Sequence, residues 1–412
     1  MKRRPILLSV GTAMLGAVVA VTSAMPVSAA ATQGYGSYPT GLGGGPIAQN
    51  VLGSGSDTTQ LMMNSLDGLY QFSPGCDQLA PAGTTQWLDF SCGPDSNSAT
   101  PVVQTENYAH DQVHEAYFLG SSNGISQLCT QGSSGVAHID FARSSRKNKS
   151  TDCTGAHFVA YARDGISWEA FPGVSGAGLA NQSNASAPCT VGVNPRYCLT
   201  QAQLNGIFVT CSITNWNQVG GQNVPISIYT AQPGSGTRSA FDGFVGGDSS
   251  HCIAPADLTS HQIPENSNSG IPSTDRVGAI FPFSYGVFQT TVAPTVGKAG
   301  SVNFGAKLGQ VDDVPPTVTT IGNLTFPYGR YLYNIFCATC SAGNATQATT
   351  NYVGEEGWIC KSSSLHATNP ATGNNFHADI VNAISKAGFV PLPNGVIGGG
   401  DTNSDFCRLV VT

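Results

Sequence analysis

The sequence contains few charged residues for its length. Only 10% of its 412 residues are Asp, Glu, Lys or Arg, and 24 acidic residues outnumber 17 basic ones. The net charge of -7 at pH 7 makes nucleic acids and anionic membrane surfaces poor partners, because both attract basic proteins. An anionic ligand would therefore have to be held by local hydrogen-bond donors.

Long uncharged apolar runs are also missing after the first thirty residues. At the start, basic residues 2–4 precede an apolar stretch over 6–21 and a small-residue site over 27–29. This order is typical of a secretory signal peptide, with cleavage expected near Ala29-Ala30, and a transmembrane anchor is the alternative. Since the first cysteine is Cys76, we expect a secreted or periplasmic chain with no lipoprotein anchor.

Cysteine, by contrast, is plentiful, and twelve cysteines in an exported chain indicate disulfides. Sequence alone does not fix the connectivity. Pairing of neighbours in sequence would join 76 with 92, 129 with 153, 189 with 198, 211 with 252, 337 with 340, and 360 with 407. Cys337 and Cys340 have the spacing of a redox pair or half a zinc site, but zinc needs a second pair. We expect a structural disulfide there.

Strand, small polar turn and helix recur along the chain, which predicts an α/β fold. We expect strands over 47–52, 116–119, 136–141, 158–162, 225–230 and 277–283, and helices over 60–70, 125–129, 199–208 and 234–244. The segments 328–336 and 379–386 could form either a helix or a strand. We expect a turn over 142–146 and loops over 74–104 and 172–198. Turns of this kind aim free N–H groups and a helix dipole at one point, as anion sites do.

The most informative turn is Gly234-Ser235-Gly236-Thr237-Arg238. Its glycines let the backbone approach a ligand closely, and its two hydroxyl groups add donors. The following helix adds N-terminal N–H groups. A capped helix after a glycine turn, with no ligand, is the simpler alternative.

Three segments in order, 199–208, 213–216 and 234–241, resemble the phosphate-binding proteins of ABC importers, with "LT…QL.GIF…ITNW" before "GSGTR.AF". The resemblance covers about residues 50–393. It implies a type II periplasmic-binding-protein fold with two domains, two crossover segments and a ligand cleft between the domains. Domain I would comprise 49–162 and 286–412, domain II 163–285, and 31–48 would be a flexible leader. The crossings are expected near 160–166 and 282–290.

The resemblance also implies a function and a site. The expected ligand is inorganic phosphate or a similar oxyanion, with an ABC permease as partner, a monomeric state, and no enzyme activity, cofactor or metal. Three more turns, Gly53–Thr59, Gly120–Gly124 and Asp140–Ser145, are similar to the family's binding loops. The predicted ligand-binding residues are Asp57, Thr58, Ser121, Arg143, Ser145, Ser235, Gly236, Thr237 and Arg238.

Two positions depart from the family pattern. Ser145 stands where the family has an Asp that accepts a proton from phosphate, and Ala231 stands where it has an Arg. We hypothesise that Asp57 supplies the acceptor and that Arg143, Arg146 or Arg238 supplies the positive charge. The alternative is that Asp57 caps the helix and pairs with a nearby arginine.

Other functions remain open from the sequence. The ligand could be sulfate, molybdate or tungstate, or the fold could serve as a surface interaction protein without a ligand. The turn 120–124 also matches the Gly-x-Ser-x-Gly nucleophile elbow of hydrolases, with His366 or His377 as a triad member. His110 and His114 have metal-ligand spacing on a helix, although solvated side chains are the favoured interpretation.

Overall fold

The computed structural model describes residues 51–71, 76–78, 90–92, 103–104, 120–131, 139–171, 197–292, 305–345, 347–355, 357–360, 363, 366, 368–369, 372–392 and 408–411. All the described residues belong to one compact unit, Tyr35–Thr412. Several predicted features lie outside the described residues: the signal peptide, the flexible leader, the strand over 116–119, and the histidines His110 and His114.

A ten-stranded mixed sheet forms the centre of the described chain, with a main strand order of β4-β1-β5-β14-β6-β11-β8. Its strands and the smaller ones are β1 Val51–Gly55, β2 Cys76–Gln78, β3 Phe90–Cys92, β4 Val103–Gln104, β5 Phe141–Ser144, β6 Ala156–Ala170, β7 Cys198–Leu199, β8 Ser227–Ile228, β9 Thr230–Ala231, β10 Gln262–Ile263, β11 Ala279–Ser284, β12 Lys307–Leu308, β13 Gln310–Val311, β14 Gly329–Cys337, β15 Val390–Pro391 and β16 Arg408–Val411. Strands β1, β4 and β5 run parallel, whereas β14 is antiparallel to β5 and β6.

Helices follow several of these strands, as the predicted strand-turn-helix units require. They are α1 Gln60–Gln71, α2 Ser121–Thr130, α3 Gln201–Phe208, α4 Gly236–Val245, α5 Tyr285–Val292, α6 Val318–Gly322, α7 Gln347–Val353 and α8 Phe376–Lys386, with a 3-10 helix over Trp216–Val219. The predicted cap of α3 is confirmed, since the Thr200 hydroxyl accepts from Gln203 N and the Gln203 side chain accepts from Thr200 N. This reciprocal capping box fixes where the helix begins.

Strand β6 links the two parts of the sheet. Its residues 156–165 pair with β14, and residues 166–169 pair with β11. Apolar side chains bury both faces, including Phe158 and Trp168, each 0% exposed. Trp168 packs against Trp216 with ring centroids 6.1 Å apart. The predicted crossing over 160–166 falls within this strand, and the domain boundaries stay a prediction.

The described disulfides are Cys129–Cys153, Cys211–Cys252 and Cys337–Cys340, which confirms three of the predicted neighbour pairs. Cys198 and Cys360 are also disulfide-bonded. Their predicted partners at 189 and 407 lie outside the described residues. Cys76 and Cys92 occupy opposite positions in the β2–β3 ladder. The expected structural disulfide between Cys337 and Cys340 is therefore present.

Two local predictions differ from the structure. The segment 142–146 was expected to be a turn, but Phe141–Ser144 is a buried strand between β1 and β14. Both faces of this strand are buried, so its sequence lacks the alternation of polar and apolar residues that marks a strand with one exposed face. Helix α2 begins at Ser121, four residues before the predicted start. Within the described residues, no helix has the length and hydrophobicity needed to span a bilayer.

Candidate anion-binding site

The loop between β1 and α1 forms the first part of the site. It turns at Gly55, whose φ of 124° favours glycine. A Cβ there would lie 2.4 Å from the Arg143 carbonyl oxygen, so the close approach of β1 to β5 also requires glycine. Ser56 N donates to that carbonyl at 3.0 Å. The turn delivers Ser56 and Thr58, both almost fully buried, at the N-terminus of α1.

The loops before α2 and after β5 add two serines. The Ser121 hydroxyl accepts from Ser145 N at 2.9 Å, and the Ser121 and Ser145 Oγ atoms lie 3.3 Å apart. Ser56 Oγ donates to Ser145 Oγ at 3.0 Å. Ser145, which replaces the family's Asp, is therefore part of a buried hydroxyl cluster with Ser56 and Ser121.

The Gly234–Arg238 turn meets this cluster from the predicted second domain. Ser122 N donates to the Gly234 carbonyl at 3.0 Å. A Cβ on Gly236 would lie 2.1 Å from Ser121 Oγ and 2.4 Å from Ser145 Oγ, so the serine side chains would have to move. Thr58 Oγ1 and Thr237 Oγ1 lie 3.2 Å apart. The predicted donors from the two predicted domains are thus brought together.

A carboxylate lies between the two sets of donors. Glu265, which follows β10, is 0% exposed. Its Oε1 accepts from Thr58 N at 3.3 Å, from Thr58 Oγ1 at 3.1 Å and from Ser56 Oγ at 3.3 Å. Its Oε2 accepts from Thr237 N at 3.1 Å and from Ser235 Oγ. Backbone N–H groups at two helix starts and three hydroxyl groups therefore surround one anionic group, as in an anion site.

Arg330 supplies the cation nearest to these donors. Its Nη1 donates to the Ser145 carbonyl at 2.9 Å and to Thr237 Oγ1 at 3.0 Å. On its other side, Nη2 and Nε donate to Asp164 Oδ2 at 2.7 Å and 3.1 Å. Both partners of this ion pair are buried, with the side chains 4% and 0% exposed. Asp164 thereby fixes the guanidinium beside the cluster.

The arginines proposed from the sequence make other contacts. Arg143 is 0% exposed, and it donates from Nη1 to the Gly53 carbonyl at 3.0 Å and from Nε to the Ser56 carbonyl at 3.4 Å. It supports the first loop from behind. Burial lowers the pKa of Arg143, and the nearby Asp57 carboxylate opposes this shift.

Arg238 and Arg146 are engaged elsewhere. Arg238 Nη2 donates to Asp248 Oδ1 at 2.9 Å and to Ser250 Oγ at 2.7 Å. Arg146 makes a two-pronged contact with Asp152, with both N–O distances 2.8 Å. The contact of Arg238 with the ligand stays a prediction; in this structure Asp248 and Ser250 hold its guanidinium.

Asp57 is buried at the edge of the site. Its Oδ2 accepts from Gln232 Nε2 at 3.3 Å, and Gln232 Oε1 accepts from Glu265 N at 2.8 Å. The proposed roles of Asp57 as acceptor or as helix cap stay predictions. Ser121 Oγ contacts Ser145. The ring centroids of His366 and His377 lie 6.1 Å apart, and His366 packs against Trp358.

Sequence reasoning missed Ser56, Glu265 and Arg330 as site residues. Arg330 had a usable signal, because it is the charged residue at the start of the apolar segment 328–336. A cation in a buried strand needs a partner and is a candidate for function. Glu265 stands in a polar loop after Pro264, where no local pattern distinguishes it from a solvated acid.

Two solved structures are among those to which the chain is similar. The ABC-type phosphate transport receptor from Vibrio cholerae is 20% identical over 83% of this chain and 99% of that chain, with a TM-score of 0.45. A putative phosphate ABC transporter substrate-binding protein from Clostridium perfringens, with bound phosphate, is 17% identical over 83% of this chain and 99% of that chain, also with a TM-score of 0.45.

A family model described as a PBP superfamily domain matches residues 98–352 of the 412-residue chain, which is more than half of it. The match includes β5, β6, α3, α4 and β14, and hence the Ser121, Ser145 and Gly234–Arg238 parts of the site. The predicted α/β fold of the periplasmic-binding-protein type is confirmed. The chain belongs to the PBP superfamily.

Proposed function

We propose that this protein captures inorganic phosphate in a cleft between its two predicted domains. The observation that carries the proposal is the set of five hydrogen bonds that converge on one buried anionic group. The donors come from the sequence segments that resemble the binding loops of phosphate receptors. Neutral donors of this kind suit an acidic protein that has no global positive field to attract an anion.

Arg330 supports an anionic ligand in the same place. Its guanidinium contacts Thr237 Oγ1 directly and is held by Asp164. Arginine presents its donors in a planar fork that matches phosphate oxygens. We infer that Arg330 replaces the family's arginine at the Ala231 position as the charged ligand of phosphate.

Calorimetric titration tests the ligand class. The purified mature protein is titrated with phosphate, arsenate, sulfate, molybdate and tungstate. We expect saturable binding of phosphate and of arsenate, which has the same shape and protonation behaviour, and weaker binding of sulfate. Stronger binding of molybdate or tungstate would identify another oxyanion as the ligand, and no heat from any of the five would contradict the proposal.

A pair of glycine variants tests the location. Gly236→Ala places a methyl group against Ser121 and Ser145, so phosphate affinity is expected to fall about 100-fold, as a misfit of a few kcal/mol would cause. Gly243→Ala lies on the same helix, where a Cβ meets nothing within 4 Å, and should bind as the wild type does. Equal affinity of the two variants would place the site elsewhere.

Asp57 is proposed as the acceptor that distinguishes phosphate from sulfate. A carboxylate accepts a hydrogen bond from a protonated phosphate oxygen, but it repels fully ionised sulfate. The Asp57→Asn variant should therefore discriminate less between the two anions, with an affinity for sulfate closer to its affinity for phosphate. An unchanged preference between these two anions would remove Asp57 from this role.

The partner and location are part of the same proposal. We infer that the mature chain acts outside the cytoplasm as a monomer, passes its ligand to an ABC permease, and catalyses no reaction. The predicted signal peptide and the observed disulfides Cys129–Cys153, Cys211–Cys252 and Cys337–Cys340 support an oxidising compartment. Protease protection and fractionation of cells that express the full chain would test its location.

A further inference from the structure

Glu265 occupies the donors that the oxyanion would use. Oε1 accepts from Thr58 N and Oε2 accepts from Thr237 N, which are the backbone donors at the two helix starts. Each N–H group has one hydrogen to donate. An oxyanion therefore cannot bind these two groups while the Glu265 carboxylate remains there.

The charges around the site also oppose simultaneous binding of the Glu265 carboxylate and an oxyanion. Arg330 is paired with Asp164 at 2.7 Å, and Arg143 lies in the field of Asp57. Arg330 thus has its own carboxylate, and Arg143 has a carboxylate nearby and donates to the Gly53 and Ser56 carbonyls. A phosphate dianion beside Glu265 would add two negative charges to one in a buried region, which is costly without a further cation. Displacement of Glu265 removes that conflict.

We propose that Glu265 is a tethered competitor of the ligand and determines which anions the site accepts. A group tethered within the chain has an effective concentration of the order of millimolar or higher. Free monoanions with two oxygens, such as acetate, offer the same contacts as Glu265 and cannot displace it at lower concentrations. A tetrahedral dianion offers four oxygens and twice the charge, so it gains contacts that a carboxylate does not make.

The loop around Glu265 is fixed on both sides, so the exchange requires little more than rotation of one side chain. Glu265 N donates to Gln232 Oε1 at 2.8 Å. Three residues later, Asn268 Nδ2 donates to Glu169 Oε1 at 2.8 Å. Ile263 pairs with Ala231 in the short β10–β9 ladder. Bound phosphate and docked Glu265 are then two alternative states of one rigid frame.

Two variants and a matched control test this competition by calorimetry. Glu265→Ala removes the competitor, and Glu265→Gln keeps its shape but turns an N–H group toward the donors. We expect the dissociation constant for phosphate to fall at least tenfold in Glu265→Ala, because the binding-competent fraction rises. Acetate should bind this variant and compete with phosphate, whereas we expect it to show no measurable affinity for the wild type. Asp257→Asn, which neutralises an exposed acid before β10, should match the wild type.

Phosphate binding that is unchanged or weaker in Glu265→Ala would overturn the inference, since Glu265 would then be silent or part of the ligand site. The identity of the ligand rests on the proposed function, but the docking of Glu265 does not.

Hydrogen exchange of the Thr58 and Thr237 amides distinguishes a failure of the proposed function from a failure of this inference. Without ligand these amides should exchange faster in Glu265→Ala, and acetate should restore their protection. If no variant binds phosphate but this pattern holds, only the proposed function fails; unchanged exchange overturns the inference.

Discussion

Two buried glutamates in this protein have very different surroundings. Glu265 is held by five hydrogen bonds from loops and helix starts. Glu169, near the end of β6, is also 0% exposed. Among the described residues, only Asn268 donates a hydrogen bond to it, and its Oε2 has no hydrogen-bond partner there. Burial raises the pKa of Glu169 to about 8, and the hydrogen bond from Asn268 partly opposes this shift.

The difference shows what an anion site requires. Burial alone favours the neutral acid, as at Glu169, because a desolvated charge is costly. Donors that converge from several elements make a buried negative charge acceptable, as at Glu265. Asp164 is a third case, in which a cation, Arg330, faces the carboxylate directly. These three surroundings predict different responses to mutation and pH.

Removal of the cation from Asp164 should have the largest effect. Arg330→Met leaves a buried carboxylate without its ion partner, so the free energy of unfolding should fall by about 3–5 kcal/mol. Asp164→Asn in the same chain should restore part of this loss, because the amide carries no charge. Urea unfolding of the single and double variants measures both effects. A loss below about 1 kcal/mol would show that the donors of Ser284 and Gly286 suffice for Asp164.

Glu169 should make stability depend on pH. The unfolded carboxyl loses its proton near its ordinary pKa of 4.5, whereas the folded one keeps it until about 8. The stabilisation is therefore complete below about pH 4.5 and decreases as the pH rises to about 8, by a few kcal/mol at about 1.4 kcal/mol for each pKa unit. Glu169→Gln should flatten this part of the profile. Parallel profiles for variant and wild type would refute the role of Glu169.

The smallest effects compare one donor with another. Asn268→Ala removes the recorded donor of Glu169 and should cost about 1–3 kcal/mol of stability. Ser56→Ala removes one of five donors to Glu265 and should cost less than about 1 kcal/mol. Thermal unfolding at one pH ranks the two variants. The reverse order would mean that the number of donors does not explain the contrast between the glutamates.

The sequence predicted the donors better than the charges. Local signals indicated Thr58 and Thr237, because a small polar turn before a helix has a short-range pattern of glycine, hydroxyl and cap residues. The same patterns predicted the cap at Thr200 and helix α1. All these features depend on residues within a few positions of each other. Ser121 was predicted from the resemblance of its turn to a binding loop of phosphate-binding proteins.

The charged residues could not be assigned in this way. Arg238 binds Asp248, ten positions later, and Arg330 binds Asp164, 166 positions earlier. Glu265 reaches Thr58 across 207 positions because β10 pairs with β9 and brings its loop to the site. The tertiary fold determines which acidic residue pairs with which arginine, because a long flexible side chain can reach several partners. The spacing of charged residues therefore did not reveal the charge pattern of the site.

The Cys129–Cys153 disulfide has a consequence for how the site is made. Ser121 begins helix α2 and Cys129 lies in its last turn, while Ser145 and Cys153 lie in the segment after β5. The covalent bond closes the chain over residues 129–153, which include Ser145, and ties this segment to the helix that carries Ser121. The Oγ atoms of the two serines lie 3.3 Å apart. In a reducing compartment, noncovalent contacts alone would hold this spacing. An oxidising environment would therefore add a covalent bond to the contacts that set the spacing of the serine pair.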